Sequence, residues 1–184
     1  MSSASPVMWA LAELEVPHTL ELIDLAGGAA KRPPVADLNP MGQVPTLVDG
    51  DQAMFESSAC VIYLGEKFGV ERGLWPAAGA PAHMRALTWI CWSAATFGPA
   101  LRAAFADGPG RAEAAARLTE LVGHLDRHLA GRPWIADATF SLADVYCSAA
   151  IGWGVRAVGL DAAPIDALRG WVERAWARPK AAVM

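Results

Sequence analysis

The amino-acid sequence predicts two unlike halves, an α/β first half and an all-helical second half, and three patterns carry that expectation. Early apolar residues pass from helical spacing to alternation and then to a hairpin signature. Residues 73–81, Gly-Leu-Trp-Pro-Ala-Ala-Gly-Ala-Pro, concentrate chain breakers as a linker does. Beyond them, apolar side chains recur only at helical spacing.

Val7, Leu11 and Leu14 share one helical face, so a short helix is expected from Val7 to Glu15, closed by Val16-Pro17. His18 to Leu25 alternates instead, which predicts a strand. Gly27 to Met41, with Gly27-Gly28, Pro33-Pro34 and Asn39-Pro40, reads as a long connection. Thr46-Leu47-Val48 and Gln52-Ala53-Met54-Phe55 flank Asp49-Gly50-Asp51, and Asp-Gly tolerates the positive φ of a tight hairpin. Ser57 or Ser58 is suited to cap the following helix, which carries Ala59, Ile62, Tyr63 and Glu66 on one face and stops near Gly69.

In the second half, Met84, Leu87, Cys91 and Ala94 predict one helix, with Gly98-Pro99 expected to kink it because proline lacks an N–H and crowds the preceding turn. Leu118, Leu121, Val122, Leu125 and Leu129 predict another, and Ile165, Leu168, Val172 and Ala175 a last one. Ser141-Leu142-Ala143-Asp144 has the form of a capping box, with Phe140 and Val145 placed for its hydrophobic staple. Such a box fixes a helix start and performs no chemistry. The expected units are residues 1–76 and 82–184.

The balance of charge excludes some functions. With 15 basic and 19 acidic residues, formal net charge −4, the chain lacks the clustered basic footprint that nucleic acid requires. Its apolar runs are interrupted well short of the ~20 residues that span a bilayer, and no basic-then-apolar leader opens it. A soluble, cytoplasmic protein is expected. Cys60, Cys91 and Cys147 sit among apolar residues and are expected to be buried thiols, a reactive thiol being the alternative. His124 and His128 stand at ligand spacing on a helix, but no third ligand accompanies them, so no metal is expected.

Asn39-Pro40-Met41-Gly42-Gln43-Val44-Pro45-Thr46-Leu47, read with Glu56-Ser57-Ser58-Ala59-Cys60-Val61-Ile62-Tyr63-Leu64, resembles the cytosolic glutathione transferases. Phe140-Ser141-Leu142-Ala143-Asp144 is similar to that family's capping box, and Trp171 to Pro179 to its last helix. The resemblance covers nearly the whole chain. It implies a thioredoxin-like N-terminal domain, an all-helical C-terminal domain and a homodimer. The family begins with a β-strand ahead of the first loop, whereas this sequence begins at the loop, so the domain is expected to lack that first strand.

The resemblance also implies site residues. The family's bond before Pro45 is cis and turns the Val44 backbone outward, where it could pair with the cysteinyl unit of glutathione as an added strand does. Gln43 faces the peptide. Glu56 could take the γ-glutamyl ammonium group, while Ser57 and the free N–H groups of the helix start suit the γ-glutamyl carboxylate. Apart from the resemblance, these segments also read as an ordinary strand entry and an ordinary helix start.

Glutathione's thiol is only a few per cent ionised near neutral pH, so a transferase must lower its pKa. In the family a hydroxyl or a cysteine just before the first helix does so. Ser2-Ser3-Ala4-Ser5 resembles the S-S-x-S of serine-type members, which implies Ser3, then Ser2, then Ser5 as the activating hydroxyl. The same serines also read as a plain helix start. Trp89, Trp92 and Phe97 lie where the family forms its electrophile pocket, with core packing the alternative. The implied activity is conjugation of small hydrophobic electrophiles with glutathione as co-substrate. A non-catalytic module of the same fold, and a glutathione-dependent isomerase or dehalogenase, are the other readings.

Overall fold

The computed structural model describes residues 2–160 and 163–184. Helix α1 spans Ser5–Leu14, with Pro6 in its first turn, where a missing N–H costs nothing, and it ends where Glu15 turns left-handed at φ 51°. Its buried face includes Val7, Trp9, Ala10, Leu11 and Leu14.

The segment after α1 departs from expectation. His18 to Leu25 forms no strand, and Leu22 is left 86% exposed. Alternation stabilises a strand only where a neighbour completes the hydrogen-bond ladder and a core covers one face, and no described segment supplies either. The chain continues through a 3₁₀ turn at Ala29–Lys31 and the one-turn helix α2, Val35–Leu38. Strands β1, Thr46–Asp49, and β2, Gln52–Phe55, pair antiparallel with Asp49 opposite Gln52, leaving Gly50 and Asp51 as the turn and Gly50 at φ 59°.

Helix α3, Ser57–Leu64, starts one residue earlier than its expected serine cap implies. Glu56, not a serine, holds the capping position, at φ 66°. A π-turn, Gly65–Gly69, prolongs α3. Asp49 accepts hydrogen bonds from the Tyr63 hydroxyl and the Lys67 ammonium and so ties the hairpin to this helix.

The breaker-rich segment is pinned rather than loose. Trp75 is buried against Gly65 and Gly69, its indole donates to Glu66, and Leu74 accepts the Leu142 N–H at 2.9 Å. A Cβ on Gly65 would come within 2.5 Å of the Trp75 ring, so only glycine lets the linker seat there.

Helices α4, Pro81–Trp92, and α5, Gly98–Phe105, are joined by a π-turn, Ser93–Phe97, directly ahead of Pro99. The wider turn absorbs the missing proline N–H without breaking the rod. Helices α6, Arg111–Leu129, α7, Leu142–Ala157, and α8, Asp166–Trp176, complete the bundle, followed by a 3₁₀ turn at Pro179–Val183.

One apolar core runs through both halves, from Val7 in α1 to Ala181 after α8. Glu13 of α1 accepts from the Nε and Nη2 of Arg178, at 2.7 and 2.6 Å, and Lys180 pairs with Glu15 at 3.0 Å. Asp144 closes the capping box and does more. Fully buried, it accepts hydrogen bonds from the Ser141 and Ile135 N–H groups and from the Trp171 indole, tying the approach to α7, its first turn and α8 together. Burial pushes its carboxyl up to about 6, against those hydrogen bonds. No described helix is long and apolar enough to cross a membrane.

Candidate functional site

A cavity of about 450 Å³ lies between the start of α1, the loop leading into β1, the junction of β2 with α3, and the facing helices α5 and α7. Ser2, Ser3, Gln43, Val44, Pro45, Glu56 and Ser57 all line it. Ser5 does not. It is buried beneath, and its hydroxyl accepts the Ser2 N–H at 3.2 Å.

The loop that presents Gln43 and Val44 is shaped by Asn39, which is buried. Its amide nitrogen donates to the Gln43 carbonyl at 2.8 Å, its amide oxygen accepts the Met41 N–H at 3.0 Å, and its backbone carbonyl accepts the Gly42 N–H at 2.9 Å. This is the local side-chain turn that asparagine favours. Gly42 takes φ 58°, and a Cβ there would crowd the Ala30 carbonyl at 3.1 Å. The Val44–Pro45 bond is cis.

At the start of α1, the Ser3 hydroxyl donates to the Val44 carbonyl at 2.6 Å and so joins the two segments. The Ser2 hydroxyl oxygen accepts the Ala4 N–H at 3.0 Å. Both serines therefore stand at the positive end of the α1 dipole, where an anion is favoured. Across the cavity, Glu56 and Ser57 sit at the start of α3, whose first N–H groups have no partner within their own helix. Burial holds the Tyr146 phenol, which also lines the cavity, above its ordinary pKa.

The facing wall is mostly apolar: Ala94, Leu101, Ala149, Ala150 and Trp153, with Arg102 as its cation. Trp89, Trp92 and Phe97 do not line it. They pack among themselves and on His128, with Trp89 4.3 Å from the imidazole and 5.3 Å from Trp92, ring centre to ring centre. Tyr146, Arg102 and Trp153 carry no mark in the sequence, and Asn39 is marked there only within a turn and the family-like segment, without a role in the site. The Asn39-Pro40 pair was the one available signal, because asparagine before proline marks a turn. The other three arrive from distant helices.

The remaining candidates do not line the cavity. His128 bonds the Ile135 carbonyl at 2.9 Å and His124 lies by Glu120 at 3.4 Å, and among the described residues no cluster of three ligands is placed to hold an ion. Cys60 and Cys147 are buried, and burial pushes the Cys60 thiol up to about 11. Cys91 is exposed on the outer face of α4, contrary to expectation, since helical spacing does not say which face meets the core.

Comparison with known proteins agrees with this architecture. Residues 1–67 match the family model for the glutathione S-transferase N-terminal domain, and residues 88–179 that for the C-terminal domain. The chain is 29% identical over 184 residues to a disulfide-bond oxidoreductase, YfcG, of Escherichia coli K12, covering 92% of this chain and 83% of that protein. It is 33% identical over 135 residues to glutathione S-transferase 3 of Zea mays, covering 66% of this chain and 60% of that one. A sphingomonad glutathione S-transferase solved in complex with glutathione superposes with a TM-score of 0.86 at 28% identity, over 98% of this chain and 92% of the other. With a two-stranded sheet, a helical bundle and both family models matched in order, the chain belongs to the glutathione S-transferase family.

Proposed function

We propose that this chain binds glutathione in the 450 Å³ cavity and activates its thiol for attack on small hydrophobic electrophiles. The observation that carries the reading is the convergence of Ser2 and Ser3, Gln43 to Pro45, and Glu56 with Ser57 on that one cavity. Along it, the Val44 backbone pairs with the cysteinyl unit, Glu56 takes the γ-glutamyl ammonium, and Ser57 with the α3 N-terminus takes the γ-glutamyl carboxylate. Relatives bear glutathione transferase names, and the sphingomonad structure holds glutathione.

Ser3 is the first choice for activator because it stands one hydrogen bond, 2.6 Å, from the Val44 carbonyl. On binding, its hydroxyl proton turns from that carbonyl to the sulfur, and the α1 dipole adds to the stabilisation of the thiolate. Ser2 is the second choice and the buried Ser5 the third. The thiolate forms its bond to an electrophilic carbon, the leaving group departs with the electron pair, and the thiol proton passes to solvent. The proposal includes a cytoplasmic homodimer, with the peptide site on residues 1–76 and the acceptor wall on residues 82–184.

A second reading is glutathione binding without turnover. The engagement of the Ser3 hydroxyl by Val44 favours it, because a proton already donated is less available to sulfur. Assay with glutathione and an aromatic chloride, beside the Ser2/Ser3/Ser5 triple alanine variant, separates the two. Turnover in the wild type, lost in the variant, supports the transferase. Background rate in both, with glutathione still bound by calorimetry, supports the second reading.

A further inference from the structure

Arg102 differs from most arginines of this chain in having nothing to hold. Arg178 grips Glu13, Arg85 donates to the Ala136 carbonyl, Arg174 donates to Pro133, and Arg156 lies over Trp176. Arg102 lines the cavity from the last turn of α5, and among the described residues no carboxylate or carbonyl takes its guanidinium. It stands one turn from Phe105, whose ring lies 5.8 Å from that of Trp153, an aromatic of the same cavity wall. Both rings are partly exposed.

A guanidinium without a carboxylate partner and a partly open indole on one cavity wall, among Ala94, Leu101, Ala149 and Ala150 with Ser93 and Tyr146 as the neutral polar groups, match a specific chemistry. Guanidinium presents a planar fork to a carboxylate, and the indole presents an area on which a flat ring stacks. We infer that this end of the cavity recognises an aromatic acceptor bearing a carboxylate, the ring lying against Trp153 and the carboxylate on Arg102. The inference rests on the glutathione reading only for which end of the cavity remains open to the acceptor. Glutathione's own glycyl carboxylate has the same chemistry, and the experiment separates the two sources.

Binding is measured by calorimetry with para-nitrobenzoate and its neutral isostere para-nitrobenzamide, with and without glutathione, so the result does not depend on turnover. A partly desolvated charged hydrogen bond implies roughly tenfold or more preference for the carboxylate in the wild type. R102Q should abolish that preference, R102K should restore part of it through point charge alone, and W153L should weaken both compounds alike. Glutathione affinity should change less than about twofold in R102Q. Arg102 is exposed, so the melting temperature should be unaltered, which excludes misfolding.

With chlorodinitrobenzoate and chlorodinitrobenzamide as acceptors, the sulfur–carbon bond forms and chloride leaves with the bonding pair. R102Q should then raise KM for the acid about tenfold and leave the amide unchanged. Equal binding of acid and amide by the wild type would overturn the inference. So would an R102Q variant that loses glutathione affinity while keeping its preference for the acid, because the carboxylate on Arg102 would then be glutathione's. Absence of turnover with the preference intact would sink only the transferase reading.

Discussion

Ser3 and Asp144 show how differently two residues singled out from sequence behave once their neighbours are fixed. The Ser3 hydroxyl is held by the Val44 carbonyl, a hydrogen bond that the proposed activation of glutathione would have to redirect. S3A should raise the pKa of the bound thiol by about two units and lower kcat/KM roughly a hundredfold, read from the ultraviolet absorbance of the thiolate and from initial rates. Asp144 has become the junction of three segments, and its replacement tests stability. D144A orphans the Ile135, Ser141 and Trp171 donors and should cost about 3 kcal/mol or more in urea unfolding. The pH dependence has a definite sign. With a folded pKa of about 6, above the unfolded value of ~3.9, the folded state keeps its proton longer. Asp144 therefore contributes most below about pH 4, and that contribution is lost as pH rises through about 6. That slope should be missing from D144A.

Elements in this chain are held by contacts that the local pattern does not announce. The hairpin is fastened to α3 through Asp49, and the linker lies in a groove that exists because residues 65 and 69 are glycines. G65A should drive a methyl into the Trp75 ring and destabilise by about 1–3 kcal/mol, visible as a change in tryptophan fluorescence together with a lower midpoint. At the other end, the Arg178–Glu13 pair clamps the last turn of the chain onto α1, the helix that carries the serines. R178A leaves the almost fully buried Glu13 without its counter-ion and should cost about 1–3 kcal/mol. Because α1 then loosens, glutathione affinity should fall with stability, although Arg178 does not line the cavity. Unchanged affinity in R178A would show that the serine loop is held independently of this clamp.

Across the whole molecule, the cavity exists because both halves close on it: Ser2, Ser3, Gln43 to Pro45, Glu56 and Ser57 come from the first half and the facing wall from α5 and α7. A ligand bound there should stabilise the common core. Glutathione at about one hundred times its Kd should add roughly 2.7 kcal/mol, or about 5–10 °C in melting temperature for a chain of this size. The increment should shrink in a Glu56→Gln, Ser57→Ala double variant. An equal shift in that variant would place glutathione elsewhere.

What local chemistry dictates can be read directly from the residues. Helical periodicity, the Gly50 turn, the Ser141–Asp144 cap and the two signature segments depend on neighbours a few residues away, and they were legible for that reason. His18 to Leu25 was misread because alternation is a local pattern whereas a strand requires a partner. The cap expected at Ser57 or Ser58 falls one or two residues earlier, at Glu56, because a positive φ there gives no sign in a list of residue types. Only packing fixes that Ser3 holds Val44, that Ser5 lies under the cavity, that Cys91 faces outward, and that Arg102 and Trp153 share a cavity with Gln43 to Ser57. Each of these depends on which faces of distant helices are pressed together, and that is settled by packing a single core through both halves.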